Sequence, residues 1–450
     1  WANNTVINTA DGVVTAGDVA QGLVAFSQHG EAMVVNDGSV TVGNGAVLEA
    51  DEHREEDWGV VSSGIRASAV LGVDNYAGAV NNGTVISGDN TIGMSALNNS
   101  SAIWFTSAFE HNYTAAAINT GSVNTGDSSI GLAVVGASSF GYNSGEITIG
   151  SGGVQSLDEV FDGAGMSNLG SLTGSMYSGL VNAGTITTGD DALGVDATAF
   201  ISSNAIQTAE GEIVTGDNTY GMRSIGYYQG LTQNAGSIQT GDNSTGMRSY
   251  GIGAISINTG DIEVGADSTG ISVVGASTYV NNSGDILTGA NGTGIEVISV
   301  GSPAVVANTG NITTDGVALN VIGEDYLDQE TGQVIPNLIF NSGSITGSII
   351  TGDSDAIVLP RIHSIGLERD LPNAELLWIS NMGHKPDYVA TDLAIAAMEK
   401  IAGFDRDLQA MGRALEREIA DDCYGPVERC LDKDDWRPGD QMPESPSEPI

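Results

Sequence analysis

The chain has 450 residues, with 56 Asp and Glu against 14 Lys and Arg, and a formal net charge of −42. An excess of negative charge this large repels the phosphate backbone of nucleic acids and the surface of anionic membranes, so we expect neither as a partner. No stretch approaches the ~18 apolar residues of a membrane helix, so no membrane span is predicted. Hydrophobic residues make up 40% of the chain, which is enough for a large core.

An internal repeat organises the chain from residue 8 to about 350. Its template is Asn-x-Gly-x-Ile/Val-x-x-Gly-Asp/Ala, and the basic unit is 24 residues long, as between Gly121 and Gly145 and between Gly236, Gly260 and Gly284. The first glycine of the template occurs at Gly12, Gly38, Gly83, Gly121, Gly145, Gly184, Gly211, Gly236, Gly260, Gly284, Gly310 and Gly343. In eight of these twelve units a second glycine follows ten residues later. Such self-similarity indicates units that stack on one another to bury a shared core.

Each unit predicts two short strands with one inward residue per strand and glycines at the bends between them. The inward residues of the first strand are Val40, Val85, Val123, Ile147, Ile186, Ile213, Ile238, Ile262, Ile286, Ile312 and Ile345. Those of the second strand are Leu23, Met94, Leu132, Met222, Met247, Ile271 and Ile295. We therefore predict a mainly β chain. Its residues 1–350 form a parallel β-solenoid of about twelve 24-residue coils, followed by a small C-terminal α/β or helical cap.

Insertions near residues 45–62, 95–115 and 150–165 interrupt the 24-residue spacing. The first carries Trp58, and the second carries Trp104 and His111. Loops that interrupt a solenoid often project from one face and bind ligands there, so these three residues are candidate binding residues. The alternative is that the insertions are tolerated surface loops.

The Asn-x-Gly-x-Ile-x-Thr-Gly-Asp units resemble the passenger regions of bacterial autotransporters and related secreted β-solenoid adhesins over about residues 8–350. This resemblance implies an extracellular or cell-surface protein. The outer-membrane barrel that follows the passenger in a complete autotransporter is absent from the sequence.

A column of aspartates is predicted at one turn of the coils. Asp190, Asp217 and Asp242 follow a Thr-Gly dipeptide in three consecutive units, and Asp89 and Asp127 occupy the same position in earlier units. Stacked carboxylates repel one another unless a cation or hydrogen bonds compensate. One interpretation is calcium bound by Asp190, Asp217 and Asp242. The other is that each carboxylate caps its own turn through backbone N–H groups.

The segment from about 349 to 403 departs from the repeat. It contains a Gly-x-x-Asp turn ending at Asp355, a Leu-Pro-Asn-Ala-Glu-Leu stretch and a Gly-His pair ending at His384. In this order the motifs resemble the end of an α/β-hydrolase, which implies Asp355 as the catalytic acid and His384 as the base. However, no Gly-x-Ser-x-Gly nucleophile motif occurs in the chain. We predict that residues 351–422 form a cap and 423–450 an acidic, proline-rich tail. The alternative is a hydrolase fragment whose nucleophile lies outside this chain.

Together these features predict a non-catalytic, extracellular or cell-surface rod with a structural or adhesive role. Its expected partners are further copies of itself, stacked end to end into filaments, or a cell-surface or glycan ligand. The only cofactor considered is calcium. A carbohydrate-binding solenoid that uses the Trp58 and Trp104 loops is the main alternative.

Overall fold

The computed structural model describes residues 3–28, 30–45, 62–70, 76–99, 114–152, 163–168, 176–323, 326–327, 334–335, 337–351 and 356–358. The chain divides into two compact units, Trp1–Leu377 and Trp378–Ile450, and every described residue belongs to the first. The described residues form strands and turns, and none of them forms a helix that is long and apolar enough to cross a membrane. Nearly all of the predicted cap and the whole predicted tail lie outside these ranges, so both stay predictions.

The prediction of a parallel β-solenoid is confirmed. Each coil contributes one strand to each of three parallel sheets, which we name A, B and C in the order in which the chain visits them. We number the coils from coil 1, which begins at Val13–Ala16, to coil 12, which begins at Ser344. The described ranges therefore contain twelve coils, in agreement with the twelve template glycines.

The strand bounds follow from this order. Sheet A comprises Val13–Ala16, Ser39–Val42, Thr84–Ser87, Ser122–Asn124, Glu146–Thr148, Thr185–Thr187, Glu212–Val214, Ser237–Thr240, Asp261–Val264, Asp285–Thr288 and the first parts of Asn311–Gly323 and Ser344–Ile350. Sheet B comprises Gln21–Ser27, Ser63–Val70, Ile92–Asn99, Ile130–Val135, Ala164–Asn168, Leu193–Ala199, Tyr220–Gly226, Thr293–Ser299, the first parts of Thr245–Asn258 and Thr269–Asn282, and the second parts of Asn311–Gly323 and Ser344–Ile350. Sheet C comprises Asn4–Asn8, Ala32–Asn36, Tyr76–Asn81, Thr114–Asn119, Ser138–Asn143, Tyr177–Asn182, Ser202–Gln207, Gln229–Asn234, the second parts of Thr245–Asn258 and Thr269–Asn282, and Val305–Asn308, Leu338–Asn341 and Ala356–Val358. A short antiparallel pair, Tyr326–Leu327 with Val334–Ile335, lies between the sheet B and sheet C strands of coil 11.

The two predicted inward columns form the core. Ile238, Ile262 and Ile286 are register partners in sheet A, and each is about 1% exposed. The inward Leu, Met and Ile residues of sheet B are also buried. Ile345, in the last coil, is partly buried and packs against the same core. Burial of one aliphatic column per sheet stabilises the stack continuously from coil to coil.

Sheet C, which the two-strand prediction missed, ends in a ladder of buried asparagines. The ladder residues are the first position of the repeat template, and each side-chain amide donates to the next one at 2.7–2.8 Å from Asn234 through Asn258, Asn282 and Asn308. Each Nδ2 also approaches the carbonyl of the template glycine in its own turn, as Asn258 does with Gly260 at 3.0 Å. The ladder satisfies the buried polar groups of this corner, which would otherwise destabilise the fold.

Template glycines are required by close backbone approach rather than by a left-handed conformation. A Cβ at Gly260 would collide with the carbonyl oxygen of Gly236 in the preceding coil, and the same clash repeats at Gly284 and Gly310. None of these three glycines has a positive φ. The corner between sheets C and A is thus packed backbone against backbone, which fixes its length at most coils.

The gaps in the described ranges between residues 46 and 175 flank strands of sheet B. Residues 46–61 and 71–75 adjoin the strand Ser63–Val70, residues 100–113 follow Ile92–Asn99, and residues 153–162 and 169–175 adjoin Ala164–Asn168. The predicted insertions near 45–62, 95–115 and 150–165 fall at these places.

Sheet B also carries apolar residues on the face that points away from the core. Ile92, Leu97, Ile130, Val135 and Leu193 belong to a second buried cluster on this outer face, and Tyr220 of coil 7 packs against it. From coil 7 onward the outer face of sheet B becomes more exposed and carries polar as well as apolar residues. The outer face of sheet B therefore combines apolar residues with exposed and charged ones, a combination that suits a binding surface.

Candidate functional site on the outer face of sheet B

Five of the residues singled out in the sequence lie outside the described residues. These are Trp58, Trp104 and His111 of the inserted loops, and Asp355 and His384 of the hydrolase-like segment. The roles assigned to them stay predictions.

The predicted aspartate column exists, and its hydrogen bonds run between coils. Oδ1 of Asp190 accepts the backbone N–H of Asp217 at 2.9 Å, Asp217 accepts that of Asp242 at 2.8 Å, and Asp242 accepts that of Ala266 at 2.7 Å. Each carboxylate therefore caps the turn of the next coil. The interpretation in which each aspartate caps its own turn is wrong in this respect. One carboxylate oxygen per residue is used in this way.

The three carboxylates are exposed. Within the described ranges, no group of three or more His, Cys, Asp or Glu residues is arranged to hold a metal ion. Calcium at Asp190, Asp217 and Asp242 stays a prediction.

The residue after each aspartate position adopts a left-handed backbone. Asn90, Asn218, Asn243 and Asn291 have φ between 53° and 57°, a region that Asn tolerates better than most residues. Val19 occupies the same place in coil 1 with φ 49°, although a β-branched side chain is poorly suited to it. The turn geometry is thus imposed by the stack even where the residue disfavours it.

A single column on the outer face of sheet B contains every arginine that the structure describes. Arg66, Asp196, Arg223, Arg248 and Glu296 occupy equivalent register positions in coils 2, 6, 7, 8 and 10. Arg66 is 8% exposed, and its burial lowers the pKa of the guanidinium below its ordinary value. Because the sequence has only four basic residues before position 361, this concentration makes the column the main positive feature of an acidic solenoid.

The two arginines in coils 7 and 8 are held differently. Arg223 forms a bidentate pair with Asp196, with Nε to Oδ1 at 2.8 Å and Nη2 to Oδ2 at 3.0 Å. Arg248 donates from Nη1 to the hydroxyl of Tyr220 at 2.7 Å. Both guanidinium groups also lie near the Tyr220 ring, at 5.6 Å for Arg223 and 5.4 Å for Arg248 from its centroid. Tyr220 therefore orients both cations.

Aromatic side chains cluster at the far end of the same strands. The rings of Phe200 and Tyr227 stack in parallel with centroids 5.2 Å apart, and Tyr228 meets Tyr227 edge-on at 4.9 Å. All three rings are between 50% and 55% exposed, and Tyr250 of coil 8 is 48% exposed. Exposed aromatic rings beside fixed hydrogen-bonding groups are typical of ligand-binding surfaces.

Sequence reasoning missed this surface, although a signal was present. The tetrapeptide Gly-Met-Arg-Ser occurs at 221–224 and again at 246–249, and in both cases it begins with the second glycine of consecutive units. Since Met is inward in both, the following Arg must point outward, and the two arginines must be neighbours in the stack. Exposed tyrosines follow each arginine within five positions: Tyr227 and Tyr228 after Arg223, and Tyr250 after Arg248.

No protein-family model matches the chain, and no curated protein or solved structure shows significant similarity to it. The parallel β-solenoid is the part of the autotransporter resemblance that the structure shows. Membership of that group, and the relation of the C-terminal segment to α/β-hydrolases, remain proposals.

Proposed function

We propose that this chain is a non-catalytic structural and adhesive solenoid that works outside the cell or at its surface and associates end to end. The adhesive and extracellular parts of the proposal rest on the resemblance of the repeat to secreted β-solenoids. The non-catalytic part is supported by the use of the repeated polar side chains: the asparagine amides and the aspartate carboxylates bond neighbouring coils.

The observation that carries end-to-end association is the edge formed by the first described strands. Asn4–Asn8, Val13–Ala16 and Gln21–Ser27 each pair with one strand only among the described residues. Their outward apolar side chains are highly exposed, Val13 at 74% and Ile7 at 61%. Unpaired strand edges with apolar side chains favour pairing with another chain.

Electron microscopy of the purified chain, with and without calcium, tests the proposal. We expect elongated assemblies built from stacked copies, more abundant where salt or calcium reduces repulsion between the acidic chains. Dispersed monomers under all conditions would contradict end-to-end association. Turnover of a p-nitrophenyl ester that is lost in His384→Ala would contradict the non-catalytic part and support the hydrolase alternative.

A further inference from the structure

We infer that the outer face of sheet B in coils 7 and 8 binds a glycan through a sugar that carries one carboxylate. The site is formed by Arg248, Tyr250, Tyr227 and Tyr228, with Tyr220 as a positioning residue. The inference deepens the proposed adhesive function by naming the chemistry of its ligand.

Arg248 and its neighbour Arg223 differ in how their positive charges are balanced. Arg223 is neutralised by Asp196 through two hydrogen bonds, whereas no carboxylate among the described residues lies within ion-pair distance of Arg248. One N–H of Arg248 is used by the Tyr220 hydroxyl. The remaining N–H groups of the fixed, planar guanidinium are suited to bidentate recognition of a carboxylate.

Exposed tyrosine rings lie beside the Arg248 cation. Tyr250 lies two residues after Arg248 on the same face of the strand, a distance of roughly 7 Å. Tyr227 and Tyr228, in the preceding coil, extend the exposed aromatic surface toward sheet C. Tyrosine rings provide flat apolar area for the C–H faces of a sugar, and their hydroxyl groups supply hydrogen bonds to its polar edge.

The acidity of the chain limits the number of negative charges that the ligand can carry. The chain carries a net charge of −42, so a polyanionic glycan would be repelled over most of its length. A single carboxylate bound to Arg248 is repelled less by the rest of the chain, because charges beyond the Debye length of about 8 Å are largely screened at physiological salt. The site therefore favours a monoanionic sugar, such as a sialic acid or a single uronic acid, within an otherwise neutral glycan.

Isothermal titration calorimetry on the full chain tests this inference with two matched pairs of saccharides. Sialyllactose is compared with lactose, and glucuronosyl-xylose with xylobiose. We expect at least one acidic member to bind saturably and roughly tenfold more tightly than its neutral partner, the range for a hydrogen-bonded charge. The acidic member that binds distinguishes a sialic acid from a uronic acid as the source of the carboxylate. Raising the salt concentration should lower the affinity for the acidic saccharide and leave the affinity for the neutral saccharide unchanged.

Three variants assign the binding to the site. Arg248→Gln should remove the preference for the acidic saccharide, and Tyr250→Ser should weaken binding of both members of the pair. Phe26→Ser is the matched control: Phe26 follows the inward Leu23 by three positions, as Tyr250 follows Met247, and it is 53% exposed in coil 1. The melting temperature of each variant shows whether the fold is retained.

Equal affinity for acidic and neutral members, a preference that survives in Arg248→Gln, or no saturable binding by either acidic saccharide would each overturn the inference. These outcomes leave end-to-end association untouched, since that is measured by microscopy without glycan. Conversely, a chain that binds the acidic saccharide but stays monomeric would retain this site and contradict the assembly proposal.

Discussion

At the scale of single residues, the solenoid depends on a ladder of buried asparagines whose side-chain amides pair with one another. Asn258 is 0% exposed, donates to Asn282 and accepts from Asn234. Removing one amide from such a ladder leaves a donor on one neighbour and an acceptor on the other without a partner. The asparagine position is therefore as important to the stack as the aliphatic columns.

Asn258→Ala should lower the free energy of unfolding by about 3 kcal/mol, because two buried polar groups lose their partner. Gln239→Ala is the matched control, since Gln239 carries the same amide on the exposed face of sheet A. Urea denaturation followed by circular dichroism compares the two. Equal midpoints for both variants would contradict a structural role for the ladder.

Val19→Asn should raise the free energy of unfolding by about 1 kcal/mol, because it relieves a β-branched residue from a left-handed backbone. The reverse change at the equivalent position, Asn243→Val, should lower it by a similar amount. Thermal melting of the two variants beside the unaltered chain measures both effects. Opposite signs are expected, and shifts in the same direction would refute the explanation.

At the scale of the coil, the corner between sheets C and A is the least adaptable part of the repeat. Its glycine backbone contacts the glycine of the preceding coil directly. The two described coils with a longer corner begin after Asn8 and Gln207, where two extra residues precede the template glycine. At Gln207 the ladder changes: its amide donates to the carbonyl of Ser237 at 2.7 Å. Extra length at this corner is accompanied by a local change in hydrogen bonding in coil 7.

Gly260→Ala should destabilise the fold by about 3 kcal/mol, because the added methyl meets backbone that cannot move without shifting a whole coil. Gly17→Ala provides the control, since a Cβ at Gly17 has no heavy atom within 4 Å. Urea denaturation followed by circular dichroism compares the stabilities of the Gly260→Ala and Gly17→Ala variants. A Gly260 variant as stable as the Gly17 variant would show that the stack relaxes around the methyl group.

Much of the coil could be predicted from the sequence, because the features that specify it repeat. The inward Ile and Met columns and the twelve-coil count followed from spacing alone. The sheet C strand was not predicted, since residues such as Ser202–Gln207 and Gln229–Asn234 carry small and polar side chains that give no clear alternation of hydrophobic residues. Capping of the next coil by the aspartates was not among the two interpretations drawn from the sequence, because sequence spacing does not show which of two stacked coils a side chain faces. The cluster of Arg223, Arg248 and Tyr220 depends on register across coils, which a single unit does not display.

At the scale of the whole chain, charge and strand edges act against each other. A net charge of −42 favours repulsion between copies at low ionic strength, whereas the first described strands pair on one side only among the described residues and expose apolar side chains. Screening at physiological salt reduces the repulsion to short range. Association should therefore strengthen with salt, in contrast to binding of an acidic sugar at Arg248.

Sedimentation velocity of an edge variant tests end-to-end association most directly. The Asn4 N–H donates to Glu31, and the Asn8 carbonyl accepts from Asp37, so these residues face the next strand. Because backbone groups alternate along a parallel strand, the N–H of Ile7 points away from the stack. Ile7→Pro removes that donor, and Ile7→Ser removes the same apolar side chain while keeping the N–H. We predict assemblies for the unaltered chain, monomers for Ile7→Pro, and assemblies for Ile7→Ser; assemblies of equal size in all three would contradict pairing through this edge.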